Sequence, residues 1–211
     1  TVISGHKPDD IIRVKSVLTK SKCLVRVNPI HDESASEIND VIDKKADIIM
    51  LPMFTTADEV EFFINAVGDR ALKYLLLETP QALVRIDDIL NVEGIDAIHI
   101  GLNDLSIGMG LDFLYEPLIG GIVEYLAVKI KKMNTKFGFG GVSRLEKGRL
   151  ILSEHYRLGS EMVIINRDFR NYKDNIEEII KETDFEKEIN NINKYLQELH
   201  LLSSDNLEKN R

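Results

Sequence analysis

Seven short apolar runs, separated by longer amphipathic segments, recur along this chain of 211 residues. The runs lie at residues 1–4, 23–28, 47–53, 74–79, 97–102, 137–142 and 162–166. Most are apolar throughout, without alternating polar residues, which is typical of strands covered on both faces of a parallel sheet. Repeated βα units of this kind predict either a closed barrel or an open doubly wound sheet.

The segments between the runs have the start and stop signals of helices. Three pairs have the spacing of a capping box or of an N-cap followed by proline: Ser34 and Glu37, Thr56 and Glu59, and Thr79 and Pro80. Gly159, shortly before the last apolar run, is expected at the C-terminal end of a helix. These signals predict that helices alternate with the strands.

Two observations favour the barrel. Seven strands are one fewer than the eight of a TIM barrel, and a βα unit upstream of Thr1 would complete the count. No glycine-rich dinucleotide fingerprint follows any of the runs, which weakens the open-sheet alternative. We therefore expect an α/β fold of the TIM (β/α)8 barrel type over residues 1–183, with its first βα unit absent from this chain.

The C-terminal segment, residues 184–211, differs in character from the rest. It is highly charged, and its apolar residues recur at helical spacing: Phe185, Ile189, Ile192, Tyr195, Leu196 and Leu199. We expect an amphipathic tail helix whose apolar face packs on the barrel or on a neighbouring subunit.

Composition narrows the classes of partner and compartment. The net charge of −8 argues against nucleic acid or an anionic membrane surface, because both bind basic patches. The single cysteine, Cys23, excludes an intrachain disulfide framework. No run approaches the roughly 20 apolar residues of a membrane span, and no signal-peptide pattern opens the chain. We expect a cytoplasmic protein.

Two carboxylates follow two successive apolar runs, Glu78 in the first case and Asp104 in the second. In a parallel barrel the carboxyl ends of all strands meet at one face, where active sites are built. Two carboxylates with room for water are a site suited to Mg²⁺ or Mn²⁺. In the alternative interpretation, Glu78 caps the next helix and Asp104 is a helix N-cap.

Three further positions carry a functional and a structural interpretation. Arg26 interrupts an apolar strand, so it either binds a substrate anion near the metal or forms a structural ion pair. His6 follows the first run and is either a general base or an ordinary loop histidine. The glycines of residues 138–141, Gly140 among them, would let the backbone approach a ligand or satisfy a tight turn.

Five segments resemble the HpcH/HpaI aldolase and citrate lyase β-subunit superfamily in order and spacing. They are "LVRVNP", "ADIIMLPMFTTADEVEFF", "LLLETPQAL", "IDAIHIGLNDLSIGMG" and "FGFGGV". The resemblance implies a (β/α)8 barrel that handles pyruvate-like 2-oxo acids through a divalent-metal enolate. It implies a metal-dependent aldolase that cleaves or forms a 4-hydroxy-2-oxo acid from a 2-oxo acid and an aldehyde.

The resemblance also assigns roles to individual residues. Glu78 and Asp104 resemble the two metal ligands, for Mg²⁺ or else Mn²⁺, and Arg26 resembles the arginine that contacts the oxo acid and stabilises the enolate. His6 and Asp43 resemble a general-base dyad in which Asp43 orients the imidazole.

The remaining assignments concern the substrate and the assembly. Backbone amides around "LNDLS" would hold the substrate carboxylate, so Asn103, Leu105 and Ser106 are expected to bind substrate, together with Gly140. The resemblance also implies a homo-oligomer.

Two other classes of function stay open. One is a relative with the same site but different chemistry, such as a CoA-thioester lyase or a phosphoenolpyruvate-type transferase. CoA binding favours a basic groove, and no basic cluster is evident at the strand ends. The other is a non-catalytic barrel that binds a metabolite, against which the trio of Glu78, Asp104 and Arg26 argues.

Overall fold

The computed structural model describes residues 6–142, 145–165 and 185–209. Six strands lie in this part of the chain: β1 (Leu24–Arg26), β2 (Ile48–Leu51), β3 (Leu72–Leu77), β4 (Ala97–Ile100), β5 (Lys136–Val142) and β6 (Met162–Ile165). They confirm six of the predicted strands, and the first run, residues 1–4, lies outside the described residues. Two compact units divide the chain, one up to Gly138 and one from Phe139 onward.

Ten helices lie among the described residues. They are α1 (Asp9–Val17), α2 (Ser34–Asp43), α3 (Ala57–Val67), α4 (Pro80–Val84), α5 (Ile86–Leu90), α6 (Leu102–Gly108), α7 (Glu116–Ile119), α8 (Ile122–Lys132), α9 (Leu145–Leu158) and α10 (Phe185–Lys209). None of these described helices is long and apolar enough to cross a membrane.

The six strands form one sheet in the order of the sequence, from β1 to β6. The pairs β1–β2, β2–β3 and β3–β4 are all parallel. An open doubly wound sheet changes direction at a switch point, so its strand order departs from the sequence order. The observed order is therefore that of the barrel topology, and it contradicts the doubly wound alternative.

The register of the first four strands separates an apolar face from a mixed one. Side chains alternate between the two faces of a strand. On one face the side chains are fully buried aliphatics with 0% exposure: Ile49, Leu51, Leu75, Leu77, Ile98 and Ile100. On the other face Arg26, Met50 and Tyr74 lie in register across β1, β2 and β3, so the Arg26 and Tyr74 side chains share one side of the sheet.

Two aspartates fix the register at the amino ends of the strands. Asp47 precedes β2, and its Oδ2 accepts hydrogen bonds from the Cys23 backbone N–H and the Lys15 ammonium, both at 2.7 Å. Asp96 precedes β4, and its Oδ2 accepts from the Lys73 backbone N–H at 2.8 Å. Each aspartate bridges to the start of the preceding strand, which opposes a slip of the pairing.

Most of the predicted helix signals are confirmed. Thr56 and Glu59 form a capping box at the start of α3. The Thr79 hydroxyl accepts from the Ala82 backbone N–H at 3.1 Å and caps α4. Gly159 follows α9 with a φ of 74°, the left-handed conformation expected at a helix C-terminus.

The capping box predicted for Ser34 and Glu37 is wrong. Ser34 is the first residue of α2, whose N-cap position is held by Glu33 without a side-chain bond. The Ser34 hydroxyl accepts from the His31 backbone N–H at 2.8 Å, and Glu37 accepts from the Asn28 side chain at 2.8 Å. The side chains of Ser34 and Glu37 therefore accept hydrogen bonds from the preceding loop and do not cap the helix.

In the second unit, α10 occupies the predicted tail segment and packs on α9. Leu152 and Ile192 form a small buried cluster with Tyr195 and Leu196 against it. The Tyr195 hydroxyl hydrogen-bonds the Ser153 hydroxyl at 2.8 Å. The apolar face of the tail helix thus packs on a helix of its own chain.

Candidate active site

Glu78 and Asp104 are brought together by the end of β3 and the start of α6. Glu78 directly follows β3 and is only 3% exposed, whereas Asp104 lies in the first turn of α6 and is half-buried. Burial, followed by the hydrogen bond and the negative charge of Asp104, raises the pKa of Glu78 to about 7 from its ordinary 4.5. The Arg26 charge and the Met53 backbone N–H act in the opposite direction on this pKa.

The capping alternative is wrong for both carboxylates. The cap of α4 is the Thr79 side chain, not Glu78. The N-cap of α6 is Gly101, and Asp104 is the third residue of the helix. Neither carboxylate is explained by helix capping, although Asp104 still lies in the first turn, where a negative charge is favourable.

One oxygen of Glu78 is a buried acceptor without a partner. Its Oε1 is inaccessible to solvent and accepts no hydrogen bond. A buried oxygen of this kind is costly unless a donor or a cation reaches it, and two adjacent carboxylates cannot both ionise cheaply without a compensating charge. The pair therefore fits a divalent cation. Among the described residues no group of three or more His, Cys, Asp or Glu could hold a metal, so water or substrate would complete the shell.

Two glycines let α6 lie close to the segment that carries Glu78. A Cβ on Gly101 would come within 2.9 Å of both the Cβ and the Oε2 of Glu78. A Cβ on Gly108 would come within 2.8 Å of the Pro80 Cδ. The glycines are seven residues apart, so they lie on one face of the helix. Their spacing in "GLNDLSIG" is the sequence signal for this contact, which the strand and cap patterns did not predict.

Arg26 ends β1 and is half-buried on the face that the polar side chains share. Its positive charge lowers the pKa of Glu78, against the larger raising effect of burial. This electrostatic link accords with both the anion-binding and the ion-pair interpretation of Arg26.

The residues of "LNDLS" differ in their availability to a ligand. The Leu105 backbone N–H donates to the Gly101 carbonyl at 3.2 Å. The Ser106 hydroxyl is buried and donates to the Asn103 carbonyl at 2.8 Å. Asn103 lies in the first turn, where backbone N–H groups have no partner within the helix. Of the three predicted amides, that of Asn103 is therefore the best placed.

The remaining predicted residues lie elsewhere. His6 is an exposed residue before α1. Asp43 is exposed and ends α2, which leads into the amino end of β2, whereas Glu78 follows the carboxyl end of β3. The Lys44 ammonium, next in the chain to Asp43, lies 3.8 Å from the Asp9 carboxylate at the start of α1. The pairing of Asp43 with His6 stays a prediction. Gly140 belongs to the second unit, with a φ of 50°, and its role stays a prediction.

Several known proteins are similar to this chain. The family model of the HpcH/HpaI aldolase/citrate lyase family matches residues 11–116. A 2-keto-3-deoxy-L-rhamnonate aldolase of Escherichia coli O17:K52:H18 is 27% identical over 148 residues, which covers 56% of this chain and 55% of that protein. The same named aldolase of Shigella boydii matches equally. This chain thus spans about half the length of the curated relatives it matches.

Solved structures share the fold at lower sequence identity. An HpcH/HpaI aldolase from Desulfitobacterium hafniense has a TM-score of 0.56 and 18% identity, covering 77% of this chain and 69% of that one. A citrate lyase β-subunit from M. tuberculosis, complexed with oxaloacetate and magnesium, has a TM-score of 0.56 and 14% identity, covering 67% and 66%. On the family match and the shared fold, this chain belongs to the HpcH/HpaI aldolase/citrate lyase family.

Proposed function

We propose that this protein is a divalent-metal-dependent carbon–carbon lyase that cleaves or forms a 4-hydroxy-2-oxo acid. The observation that carries the proposal is the buried Glu78–Asp104 pair, whose Glu78 Oε1 has no hydrogen-bond donor. Glu78 and Asp104 would hold Mg²⁺, or alternatively Mn²⁺, since hard cations prefer carboxylate oxygens. A cation bound there would supply Lewis-acid stabilisation of negative charge on a substrate oxygen.

The residues of this chain have defined tasks in the proposed reaction. A base removes the proton of the C4 hydroxyl, the C3–C4 bond breaks, and its electron pair passes to the C2 carbonyl. An aldehyde leaves, and protonation of the resulting enolate at C3 gives the 2-oxo acid. Arg26, whose positive charge lowers the pKa of Glu78, would stabilise the enolate oxygen or the substrate carboxylate. His6 is the proposed base, and Asp43 is the residue that would orient its imidazole.

The names of the curated relatives support the substrate class. They are 2-keto-3-deoxy-L-rhamnonate aldolases, and a 2-keto-3-deoxy sugar acid is a 4-hydroxy-2-oxo acid. We propose a substrate of that class, with pyruvate or a close 2-oxo acid as the part that becomes the enolate.

A second candidate is lyase chemistry on a thioester substrate. The structural likeness to a citrate lyase β-subunit favours it, because the same barrel would then hold a different reactant. Both candidates use the same carboxylate pair, so they differ in the substrate and not in the cation site.

We also propose that the six strands belong to an eight-stranded (β/α) barrel and that the protein is a homo-oligomer. The sequential, parallel order of the strands supports the barrel. The domain limits that we propose remain residues 1–183 for the barrel and 184–211 for the tail.

Proton exchange into pyruvate tests the function without the true substrate. The protein is incubated with pyruvate in D2O, and the methyl proton signal is followed by NMR with Mg²⁺, with Mn²⁺ and with EDTA. We expect metal-dependent loss of the signal, because enolate formation and reprotonation replace the methyl protons with deuterium.

The variants Glu78→Ala and Asp104→Ala are expected to abolish the exchange, whereas Glu61→Ala, an exposed glutamate on α3, is the matched control and keeps it. Exchange that persists with EDTA or in both site variants would contradict the proposal. Metal binding without exchange would direct the search to another 2-oxo acid or a thioester.

A further inference from the structure

The Thr79 side chain, next in the chain to Glu78, makes more hydrogen bonds than a helix cap requires. Thr79 is 4% exposed, and its hydroxyl accepts from the Ala82 backbone N–H at 3.1 Å, which caps α4. The same hydroxyl donates to the Phe54 carbonyl at 2.7 Å. Phe54 is 1% exposed and lies in the loop between β2 and α3. The second bond therefore links the end of β3 to the loop that follows β2.

This link lies beyond the paired part of the two strands. The parallel pairing of β2 with β3 ends at Leu51 and Leu75, before Thr79 is reached. The chain then turns at Met53, whose left-handed φ of 54° is unfavourable for methionine unless the surrounding structure supports it. The Thr79 hydroxyl supplies such support at the next residue, Phe54.

Glu78 is consequently flanked by links to two different segments. On one side the Gly101 backbone N–H donates to the Leu77 carbonyl at 2.9 Å. This bond joins the residue before Glu78 to the N-cap of α6, the helix that carries Asp104. On the other side Thr79 joins the residue after Glu78 to the loop beyond β2. The backbone of Glu78 is thus held from both neighbouring strands.

We propose that Thr79 is a positioning residue for the cation site: its hydroxyl holds the residue after Glu78 against the Phe54 carbonyl, and so fixes the Glu78 carboxylate in the orientation that binds a cation. The inference rests on the proposed function for the identity of the ligand, whereas both hydrogen bonds of the hydroxyl are present without a cation. A helix cap alone would serve only α4, so the bond to Phe54 distinguishes this role from that of an ordinary cap.

Substitutions that remove or keep the hydroxyl test the proposal on the full chain. Thr79→Ser keeps it, whereas Thr79→Val removes it and keeps the shape of the side chain. Valine is favoured in the extended backbone of this position, with φ −118° and ψ 141°, so the substitution adds no backbone strain. Thr56→Val is the matched control, because the Thr56 hydroxyl caps α3 by accepting from the Glu59 backbone N–H of the same helix at 3.3 Å. Binding of Mn²⁺ is measured by electron paramagnetic resonance, and thermal unfolding is recorded for each variant.

We expect Thr79→Val to raise the Kd for Mn²⁺ about tenfold, the lower end of the effect of residues that orient metal ligands. Thr79→Ser is expected to keep the Kd close to that of the unsubstituted chain. Thr56→Val is expected to lower the unfolding temperature as Thr79→Val does, because both lose a helix cap, without changing the Kd. An unchanged Kd in Thr79→Val, or an equal increase in Thr56→Val, overturns the positioning role. If Thr79→Val does not fold, Thr79→Ala takes its place with the same expectations.

Amide hydrogen exchange gives a readout that needs no metal. The Gly101 amide reports on the other flank of Glu78, because its acceptor is the Leu77 carbonyl. In the metal-free protein, Thr79→Val is expected to accelerate exchange of the Gly101 amide about fivefold, the effect of losing one hydrogen bond, and Thr56→Val to leave it unchanged. An unchanged rate in Thr79→Val overturns the proposed support of Glu78. If the unsubstituted chain binds no Mn²⁺ but its Gly101 amide responds to Thr79→Val, the cation site fails while the positioning of Glu78 stands.

Discussion

At the scale of single residues, the proposed chemistry centres on Glu78. The residue is 3% exposed and its carboxyl group adjoins Asp104, so the ionised form of Glu78 is disfavoured without a compensating positive charge. A carboxyl group whose pKa differs between the folded and unfolded states makes the free energy of unfolding depend on pH. Whether stability rises or falls with pH follows from the direction in which folding moves this pKa.

Replacing Glu78 with glutamine is expected to remove a pH-dependent loss of stability in the metal-free protein. The folded-state pKa of about 7 lies above the ordinary value of 4.5, so the folded protein holds this proton more tightly than the unfolded chain. Stability therefore falls as pH rises from 4.5 to 7, by roughly 3 kcal/mol for this group. Denaturant unfolding in EDTA, across that range, measures the difference between the two proteins.

Glu61→Gln is the control for this measurement, because Glu61 is exposed on α3. Its stability curve is expected to run parallel to that of the unsubstituted chain. Parallel curves for Glu78→Gln as well would contradict the raised pKa.

At the scale of elements, the site depends on how closely α6 lies against the end of β3. Gly101 and Gly108 provide this approach at the two ends of the helix, since a side chain at either would contact Glu78 or Pro80 at under 3 Å. The separation of the two carboxylates is thus set by the packing of a short helix.

Gly101→Ala is expected to destabilise the protein by about 1–3 kcal/mol, the usual cost of overpacking, and to weaken Mn²⁺ binding. The added methyl group would lie 2.9 Å from the Glu78 Cβ, which is too near the backbone to move without a shift of α6 or β3. Gly108→Ala is the comparison: it overpacks the same helix against Pro80, away from the carboxylates. Equal loss of Mn²⁺ affinity in both variants would show that the effect is not specific to the contact with Glu78.

At the scale of the whole molecule, the carboxylate pair joins two elements of the first compact unit. Glu78 follows β3 and Asp104 belongs to α6, and the residues between them include α4, α5 and β4. A cation held by both would therefore stabilise the folded chain as a whole against unfolding.

Addition of Mn²⁺ is expected to raise the unfolding temperature of the full chain. At a free concentration a hundredfold above the Kd, the stabilisation would be about 2.7 kcal/mol. Differential scanning calorimetry with increasing Mn²⁺ measures this effect, with Asp104→Ala as the variant expected to lose it. A shift of the same size in Asp104→Ala would place the bound ion elsewhere.

The positions of the strands could be predicted from the sequence alone, and so could the placement of Glu78 and Asp104 after two successive strands. Buried strands require apolar runs, and the parallel βα pattern directs the residues after each run to a common edge of the sheet. The caps at Thr56 and Thr79 could be predicted for the same reason, because each depends on residues within one turn of the chain.

Only the tertiary structure decided the contacts between segments that are distant in sequence. The burial of Glu78, the positive φ of Met53 and the close approach of Gly101 all depend on the register of β2, β3 and β4. The position of Asp43 was decided in the same way, because the direction of α2 takes it toward the amino end of β2. Short sequence patterns determined the strands, the helix caps and the candidate carboxylates. The packing of distant segments determined which of these side chains come into contact, because such a contact depends on residues far apart in the sequence.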